Sequence, residues 1–166
     1  MPDSSFTQVL PNSAIYILHK DFTSQANVGT GETIIATFQL PINLLNALGV
    51  GIRIQMFGIY AANGNGKRIQ FFFGATELIN NIFNAGSVNN DGGWNVLATI
   101  YRTSIGNQIA RGNGGKSTTV SYQQAVTTPA EDESQEITIK VVVPSAVASG
   151  DVTFKGMIIE VLPNAG

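Results

Sequence analysis

The residues of this chain that could do chemistry are few and isolated. Its one histidine, His19, lies in "AIYILHK" beside Lys20 and Asp21. A Ser-His-Asp arrangement would have to use it, and no G-x-S-x-G elbow accompanies any serine. One histidine without a cysteine cannot furnish the several nitrogen or sulfur ligands of a zinc site, and His19 reads as a residue on the outer face of a first strand. "GNGGKS" (112–117) resembles the tail of a phosphate-binding loop, but that motif needs glycine where Ala110 stands. The residues after it, "TTVSYQQAV", alternate like a strand, whereas a phosphate cradle needs a helix there to aim its N–H groups. Glycoside hydrolysis needs two carboxylates flanking a sugar. Glu77, Asp91, Asp151 and Glu160 fall near strand ends, and nothing in their spacing brings two of them together. The oxygen-rich "NNDGG" (89–93) lacks the D-x-D-x-D-G spacing of a calcium loop and reads as a turn. Trp94, which follows it, is in phase with Val96, Ala98 and Ile100, so it reads as core rather than as a pocket wall. The expectation is a protein that is no enzyme and has no catalytic residue, no cofactor and no metal.

The elements that would position any site are strands. Period-two alternation recurs along the chain, as half-buried strands require. It places Ile34, Ala36, Phe38 and Leu40 on one face of a strand, Ile52, Ile54 and Met56 on another, and Ile69, Phe71 and Phe73 on a third. Trp94 to Ile100 and Ile137 to Val143 behave alike. In "DVTFKGMIIEV" the apolar stripe shifts after Phe154 to Met157, Ile159 and Val161, as a bulge at Gly156 would require. "STTVSYQQAV" is more polar and reads as an edge strand. Two Asn-Gly pairs in "AANGNGKR" predict a hairpin turn, and "RGNGGKS" predicts another. "TTPAEDESQ" reads as a solvated acidic connection, and "PINLLNAL", the only helical candidate, as a single turn or two leading into the next strand. The fold class expected is therefore all-β: an antiparallel jelly-roll β-sandwich of about eight strands with at most one short helix. The less regular residues 1–30 read as an N-terminal arm with an embedded first strand, and residues 31–166 as the jelly-roll domain.

The surface chemistry points toward assembly. Of 166 residues 43% are hydrophobic and only 12% charged, and Asn and Gln together outnumber the charged side chains. So uncharged a surface is better accommodated against other subunits. A net charge of −2, with nine scattered Lys and Arg, argues against a nucleic-acid partner. No apolar run approaches the roughly 18 residues of a membrane-spanning helix, and the first residues carry no secretory signal pattern. A second set of apolar residues, Phe72, Leu97, Tyr101 and Val142, falls out of phase with the core, where a monomer's sheet would carry polar residues. These four are the expected subunit interface.

Three stretches carry a family likeness: K-x-I-x-F-x-F-G at Lys67–Gly74, W-x-V-x-A-x-I-x-R-T at Trp94–Thr103, and a final strand ending in Leu162-Pro163. Together, over about the last 115 residues, they resemble the jelly-roll domains of virion proteins from tailed bacteriophages, the capsid decoration (cement) proteins and tail-fibre heads. The resemblance implies a homotrimer with a non-enzymatic structural role on the virus particle, made in the host cytoplasm. The reading it favours is a capsid decoration protein that binds the major capsid protein at the outer surface and stabilises the shell. The alternative it leaves open is a receptor-binding fibre or spike head that recognises a host-surface glycan through "NGNGK" and "NNDGG".

Overall fold

The computed structural model describes residues 14–83, 92–116 and 119–163. Residues 1–13 of the expected arm, Asp91 and most of "NNDGG" lie outside the described residues. Among the described residues there are eleven strands and no helix: β1 (Tyr16–Asp21), β2 (Gln25–Ala26), β3 (Thr33–Leu40), β4 (Gly51–Tyr60), β5 (Lys67–Phe73), β6 (Thr76–Phe83), β7 (Gly92–Ser104), β8 (Asn107–Lys116), β9 (Thr119–Thr127), β10 (Ile137–Val143) and β11 (Val152–Leu162). All pair antiparallel in two sheets. The larger runs β1-β11-β4-β7-β8-β9, with β2 continuing beside β1 along the same edge of β11, and the smaller runs β3-β10-β5-β6. Without β2, β8 and β9, what remains is a pair of four-stranded sheets, β1-β11-β4-β7 and β3-β10-β5-β6. Consecutive strands switch sheets at most connections, which is the jelly-roll topology. The β8–β9 hairpin extends the larger sheet by two strands.

The core is built from alternate residues. Ile52, Ile54 and Met56 of β4 face Ile69, Phe71 and Phe73 of β5 across the sandwich, and all are fully buried. Trp94, Val96, Ala98 and Ile100 continue the layer along β7, so Trp94 is core, as its phase implied. Its indole lies over Gly58, its cross-strand partner on β4, in space that a Cβ at Gly58 would occupy. The register of β11 slips between Phe154 and Gly156, and this moves the buried set to Met157, Ile159 and Val161. β9 lies at the sheet edge, also as expected.

Several local expectations are corrected. "AANGNGKR" does not close a hairpin. It carries the chain from β4 in one sheet to β5 in the other, and neither asparagine has positive φ. "RGNGG" is not a turn but the body of β8, with Gly112 opposite Ala98 and Gly114 opposite Val96 on the core side. A Cβ at Gly112 would press on Ile79 at 2.9 Å, so Gly112 lets β6 approach. "PINLLNAL", by contrast, forms turns as read, without a helix, with Asn43 at φ 58° and Leu45 buried in the core. In β3 the core position expected of Ile34 is taken by Ile35. The register with β10 skips Ile35, leaving Ile34 46% exposed and Ile35 1% exposed.

Replacing Gly58 by alanine should overpack the Trp94 layer and cost about 1–3 kcal/mol. Chemical denaturation of the purified variant measures it, and a loss well under this range would mean that both Trp94 and the Thr153 carbonyl of β11 can move aside.

Candidate functional site

The candidate chemical groups are dispersed by the fold. Glu160 lies on the outer face of the larger sheet, where it accepts a hydrogen bond from Arg53 Nε at 2.6 Å. That bond first, and the charge of Glu160 second, hold the Arg53 guanidinium above its ordinary pKa. Glu77 lies on the outer face of the smaller sheet opposite Phe72, and Gln70 donates to it at 3.2 Å. Asp151 is buried at one end of the sandwich and accepts from Asn63 Nδ2 at 2.6 Å and Asn65 Nδ2 at 2.9 Å. The two asparagines in turn surround the buried Lys67 ammonium: the Asn63 carbonyl, Asn63 Oδ1 and the Asn65 carbonyl all accept from Nζ within 3.1 Å. Glu77, Asp151 and Glu160 thus occupy three different surfaces, and among the described residues no group of three or more His, Asp or Glu could hold a metal ion. His19 was expected on the outer face, but a register shift between Ile17 and His19 turns it inward opposite Ile159. Its ring stacks on Phe38 with centroids 4.4 Å apart.

The acidic connection expected to be solvated is instead docked. Glu133 is buried; it accepts from Gln108 Nε2 at 2.8 Å and from the Gly106 N–H at 2.8 Å, and it pairs with Arg102 at 3.3 Å. Its own carbonyl accepts from the Asn43 N–H, and Arg102 reaches the Asn46 carbonyl. Glu131 caps the β5–β6 turn through the N–H groups of Ala75 and Thr76. The loops around residues 43, 75, 106 and 131 are therefore fastened together at one end of the sandwich. Sequence reasoning assigned Arg102 no role. The available signal was the scarcity of charge, because in a chain this poor in ions an Arg next to an apolar strand has few partners to choose from.

The four expected interface residues separate. Leu97 and Tyr101 lie on the outer face of the larger sheet, 38% and 39% exposed, and Ile109, directly opposite Tyr101 on β8, is 42% exposed. Tyr101 leans over Gly51, its partner on β4. Phe72 lies on the smaller sheet's outer face under the Lys140 ammonium, 5.0 Å from the ring centroid, among Thr37, Gln70 and Glu77. Val142 exposes no surface for contact. It keeps the outward parity, opposite Ile34 and Gln70, but is only 1% exposed. The smaller sheet thus presents a largely polar face, with one screened ring and the half-exposed Ile34 on its edge strand β3. The larger presents exposed aliphatic and aromatic side chains around a polar row.

What these strands define is a jelly-roll β-sandwich with one apolar outer face. No protein-family model matches the sequence, and no curated protein matches it. Among solved structures the chain is similar to the CBM2 module of the evolved Dit of Lactobacillus casei BL23 phage J-1, with TM-score 0.42, 7% identity, and 86% of this chain and 76% of that one covered. It is also similar to arcelin-5, a lectin-like defense protein from Phaseolus vulgaris, with TM-score 0.40, 8% identity, and 92% and 94% covered. Both neighbours are β-rich.

Replacing Arg102 by methionine should leave the buried Glu133 carboxylate without its counter-ion and cost about 3–5 kcal/mol. A thermal or denaturant melt reads the loss. The change should also loosen the 104–107 and 128–136 loops together, seen as faster amide exchange in both.

Proposed function

We propose that this chain is a structural virion protein of a tailed bacteriophage: a capsid decoration protein that self-associates, binds the major capsid protein and stabilises the shell without catalysis. The observation that carries the proposal is the exposed set Leu97, Tyr101 and Ile109 on a sheet face that a solitary sandwich would keep polar. Covering what remains exposed of each would contribute about 1 kcal/mol, small singly but repeated at every equivalent position on a lattice. The strand order agrees with the jelly-roll expectation drawn from the motifs at Lys67–Gly74 and Trp94–Thr103.

The alternative, a glycan-recognising fibre head, has weaker support. Its "NGNGK" loop turns the amides of Asn63 and Asn65 inward, onto Asp151 and Lys67, rather than outward to a ligand. Quantitative mass spectrometry of purified particles separates the two readings. A copy number that scales with the capsid lattice is expected, and a copy number matching the few fibres of a tail would refute decoration. Tyr101→Lys should lower the sedimenting mass of the isolated protein, whereas Phe72→Lys, on the face screened by Lys140, should not.

A further inference from the structure

We infer that the outer face of the larger sheet is self-complementary and pairs two copies of this chain about a two-fold axis that runs along the strands, between β4 and β7. The inference rests on the reading of this face as the self-association surface and adds the arrangement. The hydrogen-bonded register places Glu160, Arg53, Thr99 and Arg111 side by side in one row across β11, β4, β7 and β8. Arg53 and Glu160 pair within the chain, and Arg111 is exposed at the other end of the row.

Two such faces can stack about 10 Å apart with their strands roughly aligned, and an isologous pair needs a two-fold axis in the plane between them. An axis across the strands at this row would set Arg53 on Arg53 and Arg111 on Arg111, stacking like charges. An axis along β7 would set Arg53 on Arg111, and one along β4 would again set Arg53 on itself. An axis between β11 and β4 would pair Glu160 with Arg53 but carry Arg111 and Ile109, both on β8, past the partner's edge. Between β4 and β7, Glu160 of each copy meets Arg111 of the other and Arg53 meets Thr99. The same axis sets Tyr101, which already leans over Gly51, against its own equivalent, and Ile109 against Leu162. Of these placements, this one pairs opposite charges while covering the apolar residues of the face. It differs from the homotrimer that the family resemblance implies, because in a two-fold pair the same face of each copy serves both sides of the contact.

The test uses the full chain in solution. Sedimentation equilibrium should give a mass of two chains. Arg111→Glu and Glu160→Lys should each weaken association about tenfold or more, since each places like charges together twice per pair. An equimolar mixture of the two variants should recover association as a one-to-one pair, because both contacts become oppositely charged. Unchanged thermal melts would show that each variant is folded. A wild-type chain that associates while neither variant weakens it, or a mixture that does not recover, overturns the two-fold arrangement and leaves the self-association reading standing. A wild-type trimer does the same. A wild-type monomer at high concentration refutes the self-association reading itself.

Discussion

In a two-sheet sandwich every second residue of a strand faces the interior, so parity decides which neighbours a side chain has. Along β4, β5 and the first part of β7 the parity is unbroken, and the fully buried block from Ile52 to Met56, Ile69 to Phe73 and Trp94 to Ile100 sets the spacing of the two sheets. Everything else hangs from that block. Where an extra residue enters a strand, the parity flips and the side chains beyond it change sides. This happens at Leu18, at Ile35, at Leu78 and between Phe154 and Gly156. Each shift lies in a strand at or beside a sheet edge or adjoining a small residue, where a local kink disturbs the fewest ladder bonds.

That rule also separates what the sequence made legible from what it did not. Trp94 could be placed because its strand is long and regular and its parity is anchored by Val96, Ala98 and Ile100. The shift in β11 was visible because a glycine marks it and the apolar stripe resumes on the other parity. The shift in β3 was not, because "TIIATFQL" offers two adjacent isoleucines and either could be the buried one; only pairing with β10 chooses Ile35. His19 was misplaced for the same reason, whereas Val142 keeps its expected outward parity and is covered. The Asn-Gly pairs misled through turn chemistry: the amides of Asn63 and Asn65 stabilise a sheet-to-sheet crossing by binding Asp151, 88 and 86 residues away and invisible to local reading, and Asn63 also holds Lys67. The glycines of β8 were mistaken for punctuation, when Gly112 makes room for Ile79.

Scarcity of charge explains the loop ends. A chain with so few ions holds its connections with long-range pairs between a strand end and a distant loop, as Arg102 with Glu133 and Asn63 with Asp151 do. A buried pair of this kind contributes more to a fixed arrangement than to net stability, and at the Glu133 end it gathers four connections into one rigid surface. Loops tied down so tightly are poor candidates for reshaping around a ligand but good ones for repeated, geometrically uniform contacts.

The contrast between the two outer faces carries the functional argument further than either face alone. The two sheets share a core and are built from the same alternating pattern, so the apolar residues on one face are not a by-product of strand composition. Where the smaller sheet has an outward phenylalanine, a lysine covers it; where the larger has an outward tyrosine, it rests over a glycine and remains exposed beside Ile109. A ring held in place over a glycine has already lost much of its conformational freedom before any partner arrives, so less entropy is given up when it is covered. A face organised in this way, ordered and crossed by one register-matched polar row, is suited to another rigid protein surface.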